Sequence, residues 1–394
     1  MQEFHSREQF EEINRFLLSL LEESYIRPET KPLNRTLDKK EIHDIFFREQ
    51  PPKTGKPLQA VLQDFKDRIY KYSVRTWHPL FLNQMFSGVP YPAVVGDLLA
   101  SMMNTTLATW EAAPVATMIE RNLARWMADT VGMAPGSSGI FVNGGSLSNL
   151  LALTVARNQK LGPGISQNGL KSHKQGVVFC SEAAHYSLLN AVNLLGIGID
   201  NIVTVKTNSR GEMLVDDFAA KLKSLDASRR CFAAVATIGI TVTGGIDPVS
   251  DILELCRERD IHLHVDAAFG GSMALSSRGK PYFSDIDQAD SVTWDAHKWL
   301  YVPLTCSALL VPDTAVLKDS FSSNAHYLFH PQEENAPEAT DDLGRYTIYC
   351  GKRFDSLKLW ILWHTMGTDA LQKWVDNRLD LTDEFFKLLD DHPD

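Results

Sequence analysis

The sequence predicts an α/β fold with a mainly parallel central sheet from Gly139 onward. Two observations carry that reading. Short runs rich in β-branched and apolar residues recur at Val177–Cys180, Ile202–Lys206, Cys231–Thr237, His262–Asp266, Ser291–Trp294 and Cys306–Val311, most of them separated by helical patterns such as Val215–Leu225 and Val249–Arg259. That alternation marks strands joined by crossover helices and buried on both faces. Several of the runs also end in small or polar turns, and a sheet of this kind binds its ligand outside the carboxyl ends of its strands.

Taken in order, residues 1–25 place Phe10, Ile13, Leu17, Leu20 and Leu21 at helical spacing among Glu and Arg, which predicts one amphipathic helix. From Arg27 to Pro57 the chain is rich in Pro, Lys and Thr and reads as a connecting arm of the kind that wraps a partner subunit. Helical patterns dominate from Val61 to Trp126, broken at residues 77–84 and 88–92. Asn83 and Gln84 there either line a site or cap a turn. After Pro312 come a polar loop, Phe329 to Asp342, and a long helical pattern from Asp355 through Leu389. The expected division is a helical segment and arm over 1–95, a large domain over 96–370, and the start of a truncated region over 371–394.

Composition narrows the function classes. The chain has 394 residues, of which 44% are hydrophobic and 22% charged, values of an ordinary globular protein. A balance of 39 basic against 49 acidic residues, −10 net with no long Lys/Arg run, argues against nucleic acid or anionic membrane as partners. The first residues lack a basic segment followed by an apolar one, and no run approaches the ~18 apolar residues of a membrane span, so a cytoplasmic location is expected. Cys180, Cys231, Cys256, Cys306 and Cys350 are odd in number, widely spaced and without a Cys-x-x-Cys pair, which predicts reduced structural thiols and no zinc site.

The chemistry-bearing residues sit at predicted strand ends. A short strand runs from Phe141 into Gly144, Gly145 and Ser146 and then a helix at Leu150–Asn158. Backbone N–H groups there, with the positive end of the helix, make a candidate phosphate cradle. His262, His264 and Asp266 share one strand face. They read either as metal ligands or as a carboxylate with a single buried task, holding a proton on a heteroaromatic nitrogen. The small residues after Asp266 favour the second. His185 follows another strand, Thr241 supplies a hydroxyl after the Cys231 run, and Lys298 is an amine held in a polar turn after Ser291–Trp294. A cradle, a ring-stacking imidazole, a carboxylate and an amine together describe pyridoxal phosphate.

The segments Asn143–Asn149, Ala184–Ser187, Ala236–Asp247, His264–Ala268 and Trp294–Lys298 resemble those of the group II pyridoxal phosphate-dependent amino acid decarboxylases, in matching order from about Trp77 to about Thr368. That group includes glutamate, cysteine sulfinate, aspartate, 2,4-diaminobutyrate and aromatic amino acid decarboxylases. The resemblance implies a fold type I transferase-like large domain, with the small C-terminal domain of such proteins missing here, and a homodimer. It implies a Schiff base at Lys298, stacking by His185, a salt bridge from Asp266, Thr241 and His297 in the polar shell, and Ala268 under the ring. Residues 78–88 and 104–114 look more like the glutamate and cysteine sulfinate branch, whereas Arg353–Trp360 is similar also to diaminobutyrate decarboxylases. The expected substrate is an acidic amino acid; diaminobutyrate, or a truncated non-catalytic homologue, are the alternatives. The loop Pro331–Asp342 lacks the Tyr that many members use to return a proton, and Tyr346 and Tyr349 lie beyond it.

Overall fold

The computed structural model describes residues 6–47, 50–82, 84–162, 164–170, 174–322 and 341–392. They form two compact units, residues 1–91 and 92–394. In the first, α1 (Arg7–Tyr25) opens on a capping box in which Ser6 and Gln9 bond each other's backbone. The segment read as an arm contains a helix of its own, α2 (Lys39–Phe46), started by the Asp38–Glu41 capping box. The stretch before α2 is pinned by buried Arg75, whose guanidinium donates to Pro32 O at 2.8 Å and whose N–H donates to Leu33 O at 2.9 Å. Helix α3 (Leu58–Asp64) runs into a π-helical turn, Phe65–Tyr70.

The second unit holds the sheet. Helices α4 (Tyr91–Met103) and α5 (Pro114–Val131) lead to β1 (Ser138–Val142), α6 (Gly145–Lys160), a short α7 (Ile165–Asn168) and β2 (Gln175–Ser181). Then follow α8 (Ser187–Leu194), β3 (Ile202–Val205), α9 (Val215–Lys223), β4 (Arg229–Thr237), α10 (Val249–Glu258), β5 (His262–Asp266), β6 (Ser291–Asp295), β7 (Ser307–Val311), α11 (Ala315–Phe321) and α12 (Ser356–Asp390). Non-helical Gly367 divides α12.

The strand order is β1-β7-β6-β5-β4-β2-β3, with β2 to β6 parallel and β7 antiparallel to both its neighbours. Because β1 and β6 each run against β7, they point the same way, and the chain leaves β1, β2, β4, β5 and β6 at one edge of the sheet. The connection from β6 to β7 is too short for a crossover helix, which accounts for the reversal.

Strand alternation divides the burial. One face carries Phe141, Val177, Phe179, Ala234, Leu263, Val265, Val292 and Trp294 in a single apolar core with α5, α10 and the first half of α12. On the other face, under α6 and α8, two apolar clusters flank the sheet: Ile140, Val142, Leu151 and Leu309 on one side, Val178, Cys180, Leu188 and Val235 on the other. Between those clusters β5 and β6 present buried His262, His264, Asp266, Ser291, Thr293 and Asp295. No described helix is long and apolar enough to cross a membrane, and all five cysteines are free.

Candidate active site

A polar strip inside a helix–sheet interface has to satisfy its own hydrogen bonds, since each unpaired buried group costs about 1–3 kcal/mol. Asn149, in the second turn of α6, does most of that. Its Nδ2 donates to Asp266 Oδ2 at 2.8 Å and to Ser187 Oγ at 3.0 Å. Its Oδ1 accepts from His264 Nε2 at 3.0 Å and from Thr293 Oγ1 at 3.1 Å. Ser291 Oγ lies 2.8 Å from His264 Nδ1 and 2.9 Å from His262 Nε2. The three polar residues of β5 thus share a face as expected, but His262 and His264 are spent on this network rather than on a metal. Among the described residues no group of His, Cys, Asp or Glu is arranged to hold a metal ion. Burial pushes His262 down to about 3 and His264 to about 4, so both rings are neutral.

Asp266 Oδ1 accepts from the Ala268 N–H at 3.1 Å, which fixes the carboxylate at the sheet edge. His185 accepts on Nδ1 from the Ser187 N–H at 3.2 Å and lies 2.8 Å from Ser187 Oγ. Burial holds its pKa below the usual imidazole value; the Asp266 charge pulls it up and Lys298 pushes it down, which places the three groups within electrostatic reach of one another.

Lys298 follows β6 in the turn at residues 296–300, and its Nζ lies 3.2 Å from Asp295 Oδ2. Asp295 is buried, and its Oδ1 has no hydrogen-bond partner among the described residues. The other side of that carboxylate is the start of α6, since a Cβ on Gly145 would lie 2.9 Å from Asp295 Oδ2 and 3.1 Å from Ala268 Cβ. Gly144 turns the chain at φ +98°. The first helical bonds of α6 return to its carbonyl from Leu147 and Ser148, at 3.1 and 3.2 Å, so Gly145 and the exposed Ser146 stand at the positive end of a sixteen-residue helix.

The structure therefore groups Lys298, Asp266, His185, Ala268 and the turn Gly144–Ser146 at one edge. His297 is buried behind them, its Nδ1 3.2 Å from the Cys306 nitrogen and its Nε2 3.6 Å from Asp295 Oδ2. Thr241 stands on the exposed turn after β4, and among the described residues no hydrogen bond joins it to the group. Gln84 is exposed on a bend of the N-terminal unit, while Asn83 lies outside the described residues, as does the loop Pro331–Asp342 apart from Asp341 and Asp342. Beside the cradle, Tyr349 Oη accepts from the Asn143 N–H at 2.9 Å. It lines a cavity of about 250 Å³ together with Thr305, Lys352 and Arg353. A larger cleft of about 790 Å³, lined by Trp110, Met118, Tyr346 and others, includes none of the candidate residues.

Sequence reasoning passed over Asn149, Ser187 and Asp295. All three stood inside the motifs that carried the resemblance, but nothing in their spacing says that they meet. The family profile described as the pyridoxal-dependent decarboxylase conserved domain matches residues 43–394. The chain is 37% identical to human cysteine sulfinic acid decarboxylase over 339 residues, 86% of this chain and 67% of that protein. It is 36% identical over 330 residues to the acidic amino acid decarboxylase GADL1 of Xenopus tropicalis, 83% of this chain and 64% of that one. The crystal structure of mouse CSAD in apo form superposes with a TM-score of 0.88 at 30% identity, over 98% of this chain and 81% of the other. With a match over most of its length and a sheet edge built to this pattern, the chain belongs to the pyridoxal-dependent decarboxylase family.

Proposed function

We propose that this protein removes the α-carboxylate of an acidic amino acid with pyridoxal 5'-phosphate as cofactor, releasing the amine and CO2. The observation that supports it most is the meeting at one sheet edge of the Lys298 amine, the Asp266 carboxylate, the neutral His185 ring and the open turn at Gly144. The residues fit the group. Asp266 has two fixed donors and lone pairs to spare, the cradle would be closed by a Cβ at 145, and Asp295 keeps a buried oxygen unpaired beside it.

In this reading Gly144, Gly145 and Ser146 hold the phosphate through their N–H groups and the end of α6. Asp266 accepts the proton on the ring nitrogen. His185, with Nδ1 committed to Ser187, carries its hydrogen on Nε2 and lies against the ring. Ala268 leaves room for the ring, Thr241 and His297 complete the polar surround, and Lys298 supplies the amine that holds the cofactor covalently. When bound, the cofactor supplies an electron sink for the pair left behind as CO2 departs.

The acidic substrate is supported by the printed activities of the relatives, cysteine sulfinic acid and acidic amino acid decarboxylases. The division into an N-terminal segment over 1–95, a cofactor-binding domain over 96–370 and a C-terminal region over 371–394 is part of the same proposal. So are a cytoplasmic location and a homodimer. Exposed Leu98, Met102, Met103, Val115 and Met118 on α4 and α5 support the dimer.

The test is CO2 release by purified protein with pyridoxal phosphate from cysteine sulfinate, aspartate, glutamate and 2,4-diaminobutyrate. Turnover of an acidic member is expected. Turnover confined to diaminobutyrate would overturn the substrate class, and a protein that binds no cofactor would overturn the whole reading. Sedimentation of the same sample reads the dimer.

A further inference from the structure

The buried network behind Asp266 has a direction. Asp266 Oδ2 accepts, so the Asn149 atom facing it at 2.8 Å is the amide nitrogen, and the amide oxygen faces back into the sheet. That oxygen meets His264 Nε2 at 3.0 Å, so His264 carries its hydrogen on Nε2. In a neutral ring Nδ1 is then an acceptor, and the Ser291 hydroxyl at 2.8 Å donates to it. Having given its one hydrogen, Ser291 Oγ takes one from His262 Nε2 at 2.9 Å.

The chain begins at His262 Nδ1, a buried lone pair with no partner among the described residues. A second branch runs the same way. Ser148 Oγ lies 2.6 Å from Thr293 Oγ1, which donates to Asn149 Oδ1 at 3.1 Å. The other amide hydrogen of Asn149 goes to Ser187 Oγ, whose hydroxyl faces His185 Nδ1 at 2.8 Å. From His264 and Thr293, which also lie 3.3 Å apart, the hydrogens pass through Asn149 toward the two side chains that flank the proposed ring.

On the reading that Asp266 faces the cofactor's ring nitrogen, we infer that His262, Ser291, His264 and Asn149 form a one-way relay that positions Asp266 for that nitrogen. Asn149 is the junction that sets His185 at the same time. None of these residues meets the reacting atoms. They act by holding the Asp266 carboxylate as an acceptor in one orientation, with its remaining lone pairs directed off the sheet edge. Aligned hydrogen bonds polarise one another, so the bond reaching Asp266 is strengthened by those behind it. A half-satisfied strip would be worse than an apolar one, and the apolar clusters on either side show that an apolar interface was available to this fold.

The test measures dissociation constants of pyridoxal phosphate and of its 1-deaza analogue, in which C–H replaces the ring nitrogen, for the intact protein and for Asn149→Ala and Ser291→Ala. The intact protein is expected to prefer the natural cofactor. Asn149→Ala is expected to lower that preference roughly tenfold, and Ser291→Ala, two links away and touching neither Asp266 nor cofactor, roughly threefold, with deaza affinity held within about twofold. Retained deaza binding shows that each variant is folded. A parallel loss for both ligands would mean that these residues only pack, and an unchanged preference in Ser291→Ala would mean there is no relay; either overturns the inference. Equal affinity for the two ligands in the intact protein would overturn the Asp266 assignment itself, a distinguishable failure.

Discussion

Lys298 Nζ and Asp295 Oδ2 lie 3.2 Å apart, so the amine proposed to hold the cofactor is already engaged by a buried carboxylate three residues before it. The amine has to leave Asp295 before it can bond anything else. Asp295→Asn keeps the shape and removes the charge. Association of pyridoxal phosphate, followed by absorbance after mixing, is expected to accelerate roughly fivefold, the rate equivalent of about 1 kcal/mol for one ion pair. A slower or unchanged association rate would show that the pair does not restrain Lys298.

Lys298→Ala removes the amine itself. Decarboxylation is expected to fall by at least about a thousandfold. Borohydride treatment of the loaded wild type should fix the cofactor on the peptide containing Lys298. A cofactor fixed on another lysine, or a variant with more than a few per cent of wild-type turnover, contradicts the assignment.

Gly145→Ala tests the cradle. The new methyl group would fall 2.9 Å from Asp295 Oδ2 and 3.1 Å from Ala268 Cβ, an overpacking that costs about 1–3 kcal/mol. Because the crowding falls where the phosphate is proposed to sit, cofactor affinity is expected to drop about tenfold or more while far-ultraviolet circular dichroism is unchanged. Wild-type affinity in a titration would place the phosphate elsewhere.

The pH dependence of stability follows from three buried groups. Burial lowers His262 to about 3 and His264 to about 4, and raises Asp247 to about 6. Between about pH 4.5 and 5.5 the unfolded chain binds protons on both histidines that the folded chain does not, whereas Asp247 binds one only when folded. The net is one proton more in the unfolded state. Stability from these groups therefore rises with pH, by about 1.4 kcal/mol per unit. His262→Gln removes one histidine's share. Urea unfolding at pH 4.5 and 5.5 should show the variant gaining about 1.4 kcal/mol on wild type at the lower pH, and a constant gap would refute the assignment.

Lys352 and Glu120 are a fully buried pair at 2.8 Å, and Lys352 Nζ also donates to Phe141 O at 2.8 Å, next to the cradle. Lys352→Ala strands the carboxylate and is expected to cost about 3–5 kcal/mol in denaturant unfolding. Combining Lys352→Met with Glu120→Gln should cost less than Lys352→Ala, and a purely additive result would mean that the two charges do not depend on each other.

The strands were legible because most are short runs that pack on both faces, and β-branched and apolar residues collect in such runs for steric reasons. The grouping of Lys298, Asp266 and His185 at one sheet edge was foreseeable for a related cause, since a chemical side chain at or soon after the end of an apolar run falls near a strand end. The connections among them were not. Asn149 meets Asp266 only because α6 crosses over β5 and β6, and a helix crossing leaves no period in the sequence. The helix at Lys39–Phe46 was missed in a Pro- and Lys-rich stretch, although its Asp38–Glu41 capping box was there to be read. The role of Asp295 was hidden by its neighbours, because Lys298 and His297 drew the reading of that turn.

Among the described residues, strand β1, which ends at Val142, pairs only with β7, which begins at Ser307. During synthesis β1 and the glycine turn behind it emerge long before their one partner. At the usual pace of a ribosome that wait is on the order of ten to thirty seconds. Throughout it an unpaired apolar edge stays open, and the proposed cofactor cradle has no wall. Ligand capacity in the nascent chain should therefore appear in a single late step, when β7 clears the exit tunnel, rather than accumulate strand by strand.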